Sequence, residues 1–142
     1  MGKKRIIKKS GSDSNPKSRT SGRLPKKKIE KGILHILATY NNTNLMLTDL
    51  AGNSILSMSS GGLGYKGSKK GTPFAAGKAG EVLAEKSTAI GLKEVDVIIK
   101  GVGSGRESAI RSFIARGINI SSIKDKTPVP FNGPKPKKPR RV

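Results

Sequence analysis

Gly62, Gly64 and Gly67 stand in the spacing G-x-G-x-x-G within SMSSGGLGYKGSKKGTPFAAGKAGEVLAE (residues 57–85), after a strand-like apolar run and before a helix-like one. Such a loop offers backbone N–H groups at a helix start, where phosphate binds, and its spacing is that of the dinucleotide fingerprint. The surroundings do not suit a dinucleotide. Residues 68–72 separate Gly67 from the predicted helix start, and Val82 occupies the position about 20 residues beyond Gly62 where a ribose-binding acid belongs. Glu81 and Glu85 lie in mid-helix and cannot be strand-end ligands. The phosphate-loop pattern G-x-x-x-x-G-K-[ST] fails as well, because Gly67 is followed by Ser68 and Lys69 in reversed order.

What remains is a glycine loop seeded with Tyr65, Lys66, Lys69 and Lys70. Glycines admit a polyanion close to the backbone and lysines neutralise it. A second loop, KGVGSGRES (100–108), places Gly101, Gly103 and Gly105 ahead of Arg106 and a predicted helix. Both loops follow strands and precede helices, so a β-α-β arrangement would bring them to one edge of the sheet. Two phosphate-ready helix starts at one edge suit a folded RNA better than a small ligand.

Other chemistries lack material. With no Cys and one His, the chain has no thiolate metal site, no Cys nucleophile and no His-based proton relay. Asp49 and Asp96 are scattered and do not make a two-metal nuclease site. His35, in an apolar strand, reads as a structural residue. We therefore expect no catalytic residue, no metal and no cofactor.

The net charge is +20, and its distribution points to nucleic acid. Residues 1–29 hold 11 Lys/Arg against one acid, residues 30–123 hold 11 against 7, and residues 124–142 hold 7 against one. No apolar run approaches the ~18 residues of a membrane span, and a secretory h-region is not evident. The first 28 residues share the basic, Ser-rich, acid-poor composition of an organellar transit peptide but not its amphipathic period.

Three regions position these features: a basic, disordered arm (1–29), an α/β domain (30–124) and a Pro-rich basic tail (125–142) expected to run extended. Within the domain, GILHILATY (32–40) predicts a strand whose near-continuous apolar run implies burial on both faces for part of its length. A turn at 41–43, a strand at 44–50, a turn at 51–53 and a strand at 54–59 complete an antiparallel meander. Thr72 and Pro73 predict the N-cap and first turn of a helix that Gly91 ends. Its apolar arc is Ala75, Ala79, Val82, Leu83, Ala89 and Ile90, with Gly77 and Gly80 on the opposite face. A strand at 94–100 follows. A helix at 104–117 then carries a Ser104/Glu107 capping-box spacing and a buried stripe of Ile110, Phe113 and Ile114, and a strand at 118–124 closes the domain. The order is β-β-β-α-β-α-β, a mixed five-stranded sheet with helices packed on it.

YNNT (40–43), GYKGSKKGTPFAA (64–76), KGVGSGRES (100–108) and DKTPVPFNGPKPKKPRRV (125–142) together resemble the ribosomal small-subunit protein eleven family in its bacterial and organellar form, from about Glu30 to the last residue. The resemblance implies a ribonuclease-H-like α/β fold on the platform of the small subunit. There it implies bridging of small-subunit ribosomal RNA helices and a share in the cleft where the messenger RNA leader (Shine-Dalgarno) pairs. It implies small-subunit proteins seven and eighteen as neighbours and initiation factor three close by, with no membrane and no homo-oligomer. Transferred motif by motif, the expected RNA contacts are Asn41, Asn42, Thr43, Lys66, Ser68, Lys69, Lys70, Arg106, Asn132, Gly133, Lys135, Lys137, Lys138, Arg140 and Arg141. The implied compartment is a bacterial cytoplasm or a plastid or mitochondrial ribosome. Departures are Val102 and Ser104 where the family carries prolines, Phe131 where it carries His, and Pro134 where Cys is frequent. Tyr40, Tyr65 and Phe131 are open between base stacking and a structural place. The alternative is a non-ribosomal RNA or DNA chaperone working through the same loops and tails.

Overall fold

The computed structural model describes residues 28–141, so the expected basic arm lies, but for its last two residues, outside the described residues. Five strands, β1 (Lys31–Ala38), β2 (Thr43–Thr48), β3 (Ser54–Ser59), β4 (Glu94–Gly101) and β5 (Asn119–Asp125), form one sheet in the order β3-β2-β1-β4-β5. The first three make the antiparallel meander, while β4 runs parallel to β1 and β5 parallel to β4. Helices α1 (Pro73–Ile90) and α2 (Gly105–Ala115) supply the crossovers from β3 to β4 and from β4 to β5. This is the α/β, five-stranded mixed sheet that the alternation of periods predicts.

The signals that start and stop α1 act as the sequence suggests. The Thr72 hydroxyl accepts a hydrogen bond from the Ala75 N–H at 3.3 Å, and Pro73 occupies the first turn. At the other end Gly91 adopts φ 97°, its N–H donating to Thr88, while the Leu92 N–H donates to Ser87. That pair is a Schellman closure, which satisfies carbonyls the last turn would leave unpaired.

Both helices pack on the same face of the sheet. Alternate residues Leu34 and Ile36 of β1, Leu45 and Leu47 of β2, and Val95, Val97 and Ile99 of β4 meet Ala79, Leu83 and Phe113 in a single core. Helix α1 buries more than its predicted arc: Ala76, Gly80, Ala84 and Ser87 are buried too. Gly77 and Gly80 face α2, where Ser112 Oγ lies 2.9 Å from the Gly77 carbonyl oxygen. The two glycines are therefore a helix-helix contact, small enough to let the backbones come close. Within the predicted arc Ala89 is exposed although Ile90 beside it is buried, and in α2 Ile114 is 57% exposed.

The expectation of burial on both faces of β1 needs correcting. Leu34, Ile36 and Ala38 are buried, but Ile33 and His35 are only half-buried and Leu37 is exposed. No described element covers that face. It forms a shallow groove of about 750 Å³ along Leu37, Met46, Ile98 and Lys100. From Lys126 to Arg141 the chain joins neither helix nor strand and is exposed at every position except Thr127.

Candidate nucleic-acid interface

Parallel pairing of β1, β4 and β5, with β3 running the same way, puts the carboxyl ends of four strands at one pole of the domain. Everything that reading of the glycine motifs singled out gathers there. The β1–β2 turn is closed by Thr39, whose N–H and hydroxyl donate to the Asn42 carbonyl at 2.9 and 3.0 Å. Asn42 Oδ1 accepts the Gly61 N–H at 3.2 Å, tying this turn to the start of the first glycine loop. Ser104 Oγ donates to the Gly71 carbonyl at 3.0 Å, tying the end of that loop to the second.

Close approach explains two glycines here. A Cβ on Gly71 would lie 2.1 Å from the Tyr40 carbonyl oxygen, and one on Gly101, at φ +99°, would lie 2.1 Å from that of Ala38. Neither contact can be relieved by a rotamer change, since the obstacle is backbone. The first loop is not an irregular coil: it folds as two short 3-10 turns, Gly61–Leu63 and Gly67–Gly71. Lys66, Ser68 and Lys69 are exposed on it and Lys70 is half-buried.

The capping box expected at α2 does not form. Ser104 already has helical dihedrals (φ −68°, ψ −14°), so its hydroxyl cannot turn back over its own helix and instead reaches Gly71. Glu107 pairs with Arg111 at 3.4 Å on the solvent side.

Not every expected contact has a free surface. Thr43 is fully buried and its hydroxyl has no hydrogen-bond partner among the described residues; a Cβ on Gly105 would come within 2.4 Å of it. The Asn42 amide is committed to Gly61 and to Asn44, to whose Oδ1 it donates at 2.9 Å. Arg106 is turned inward: Nη1 donates to the Gly101 carbonyl at 2.7 Å and Nη2 pairs with Asp125. Asn41, the loop lysines and residues 132–141 of the tail are open to solvent or half so.

Three exposed aromatic rings sit among these cations: Tyr40 at 79%, Phe74 at 65% and Phe131 at 95% exposure. Tyr65 meets Phe74 edge to face at 6.3 Å, and Lys78 Nζ lies 5.8 Å from the Phe74 ring centre. Sequence reasoning passed over Phe74. Its signal was its place immediately after Pro73, off the apolar arc of α1. Asn132 adopts φ 49°, bending the tail where Phe131 projects.

The carboxylates weighed for a nuclease are spent on structure. Asp49 accepts from the Asn53 N–H at 2.8 Å and side-chain amide at 3.0 Å to close the β2–β3 turn, and Asp96 accepts from Ser122 Oγ at 2.6 Å. Among the described residues no three His, Asp or Glu side chains gather where they could hold a metal ion, and no helix is long and apolar enough to cross a membrane.

Exposed lysines, accessible rings and glycine turns thus share one pole of the domain. The model of the family described as ribosomal protein S11 matches residues 32–141, most of the chain and every segment at that pole. The chain belongs to the ribosomal protein S11 family. As an S11-family member it is a small-subunit ribosomal protein that binds ribosomal RNA, a structural constituent of the ribosome and not an enzyme.

Proposed function

We propose that this chain sits on the platform of the small subunit, with the carboxyl-end pole against ribosomal RNA helices, and helps shape the cleft in which the messenger RNA leader pairs. The observation that carries the reading is the convergence of the β1–β2 turn, both glycine loops and the root of the tail at one pole. Asn41, Lys66, Ser68, Lys69 and Lys70 contact phosphates directly, and Asn132, Gly133, Lys135, Lys137, Lys138, Arg140 and Arg141 extend those contacts along a second RNA segment. Asn42 and Thr43 act from beneath, holding the turn and loop in register. Tyr40, Phe74 and Phe131 offer faces on which unpaired bases stack.

The uncovered strip of Ile33, Leu37, Met46 and Ile98 suits a protein neighbour better than a phosphate. Small-subunit proteins seven and eighteen are the neighbours we assign to the chain, with initiation factor three passing close by. The domain 30–124 is the folded unit between the two basic extensions.

Sedimentation tests this. The native protein should travel with the small subunit through a moderate salt wash. Release into the free fraction together with bulk RNA of any sequence would favour the chaperone alternative instead.

A further inference from the structure

Arg106 matches a family motif for RNA contact, yet its guanidinium is used inside the chain. Asp125, the last residue of β5, accepts from Arg106 Nη2 on one carboxylate oxygen and from the Thr127 N–H and Oγ1 (2.9 and 2.6 Å) on the other. The Thr127 hydroxyl in turn accepts from the Gly101 N–H at 3.2 Å, while Arg106 Nη1 takes the Gly101 carbonyl. The Gly101 residue is thus held on both its polar groups, and the Lys126 N–H continues the ladder to the Ile99 carbonyl at 2.9 Å. Charge-assisted bonds of this kind are the strong ones. Beyond Thr127 every described residue is exposed.

We propose that Arg106, with Asp125 and Thr127, is a latch that fixes the direction in which the tail leaves the domain, and that Arg106 is a positioning residue and not a phosphate contact. Resting on the assignment of the tail to ribosomal RNA, the proposal gives the tail's affinity a source beyond its charge. A polycation whose root is free must be ordered on binding; one whose root is already aimed loses less entropy.

Asp125→Asn separates the two roles because they predict opposite signs. If Arg106 binds phosphate, this substitution frees it and removes a negative charge, so RNA binding tightens. If the latch operates, binding weakens although the protein has become more positive. Asp125→Asn and the charge-neutral Thr127→Val should each bind transcribed small-subunit ribosomal RNA about fivefold more weakly than wild type. Arg106→Gln should weaken binding without changing the slope of log K against log salt, whereas loss of a phosphate contact lowers that slope by ~0.7–0.9. In the free protein, the Lys126 and Gly101 amides should exchange with solvent faster in all three variants while core amides of β1 do not.

Tighter binding by Asp125→Asn, a slope reduced in Arg106→Gln, or faster exchange with unchanged affinity would each overturn the latch. Wild-type protein that binds this RNA no better than an unrelated transcript would instead overturn the ribosomal RNA reading of the tail, and the exchange data would still report whether the root is held.

Discussion

Ser104 Oγ and the Gly71 carbonyl oxygen are 3.0 Å apart although 33 residues separate them in the chain. One hydrogen bond thereby makes a single surface of two loops that each follow a strand and precede a helix. Together with the Asn42 bond to Gly61, it means that the β1–β2 turn, the first glycine loop and the second stand or shift together.

Gly71→Ala and Gly101→Ala should therefore cost folding stability and RNA affinity at once. Each new Cβ would meet a backbone oxygen at 2.1 Å, and Gly101 adds a left-handed φ. A loss of about 2–3 kcal/mol is expected for Gly101→Ala. Denaturant unfolding checks it, and a change below about 0.5 kcal/mol would contradict the packing described at this pole.

Two glycines three residues apart in α1 should respond with opposite signs. A Cβ on Gly77 has ordinary contacts, the nearest at 3.6 Å, so Gly77→Ala gains helix propensity, at most about 1 kcal/mol. On Gly80 it would meet Ser112 Cβ at 2.9 Å and the Ala109 carbonyl at 3.0 Å, so Gly80→Ala should destabilise by about 1–3 kcal/mol. Thermal melts of the two variants side by side decide the matter.

Lys66, Lys69 and Lys70 changed together to Gln should lower the salt slope of ribosomal RNA binding by about 2–3. The measurement is a set of binding isotherms across salt concentrations. An unchanged slope would remove these lysines from the interface.

Tyr40→Ala and Phe131→Ala should weaken RNA binding with the salt slope intact, by about 1–3 kcal/mol for each ring that stacks on a base. Because both rings are largely exposed, their loss should leave the melting temperature where it is. A fall in melting temperature would instead make them part of the fold.

Acid should act on the protein in two separate windows. Burial first, then the charges of Lys100 and Lys126, hold the His35 pKa below its ordinary 6.5. The unfolded chain consequently binds the proton more readily, and stability declines as pH falls below 6.5; His35→Gln should flatten that part of the profile. Hydrogen bonds from the Thr127 side chain and backbone, then from Arg106, lower Asp125 from 3.8 to about 2. Its contribution is present above pH 3.8 and is lost as pH falls through about 2, so neutral and mildly acidic solutions leave the root of the tail held. Unfolding followed by fluorescence or circular dichroism across pH checks both windows.

Local signals were legible wherever one residue type suffices to fix a backbone state. Thr72, Pro73 and Gly91 bound α1 as their chemistry requires. Signals that depend on a partner distant in sequence were not. Ser104 and Glu107 have capping-box spacing, but spacing does not reveal that Ser104 is already helical and faces Gly71. Arg106 looks like a free cation until Asp125 is brought beside it by the β4–β5 pairing. The apolar run of β1 reported that both faces of the strand are greasy, and only the three-dimensional arrangement shows that the helices reach one of them.

The parallel centre of the sheet also fixes where the described chain enters and leaves the domain. The described chain enters the domain at the amide end of β1, just beyond Lys28 and Ile29, whereas the tail departs from the carboxyl end of β5. Between those points lies the length of an eight-residue strand, about 26 Å at ~3.3 Å per residue. The pole that carries the loops and the root of the tail therefore lies a full strand's length from the end at which the described chain enters the sheet.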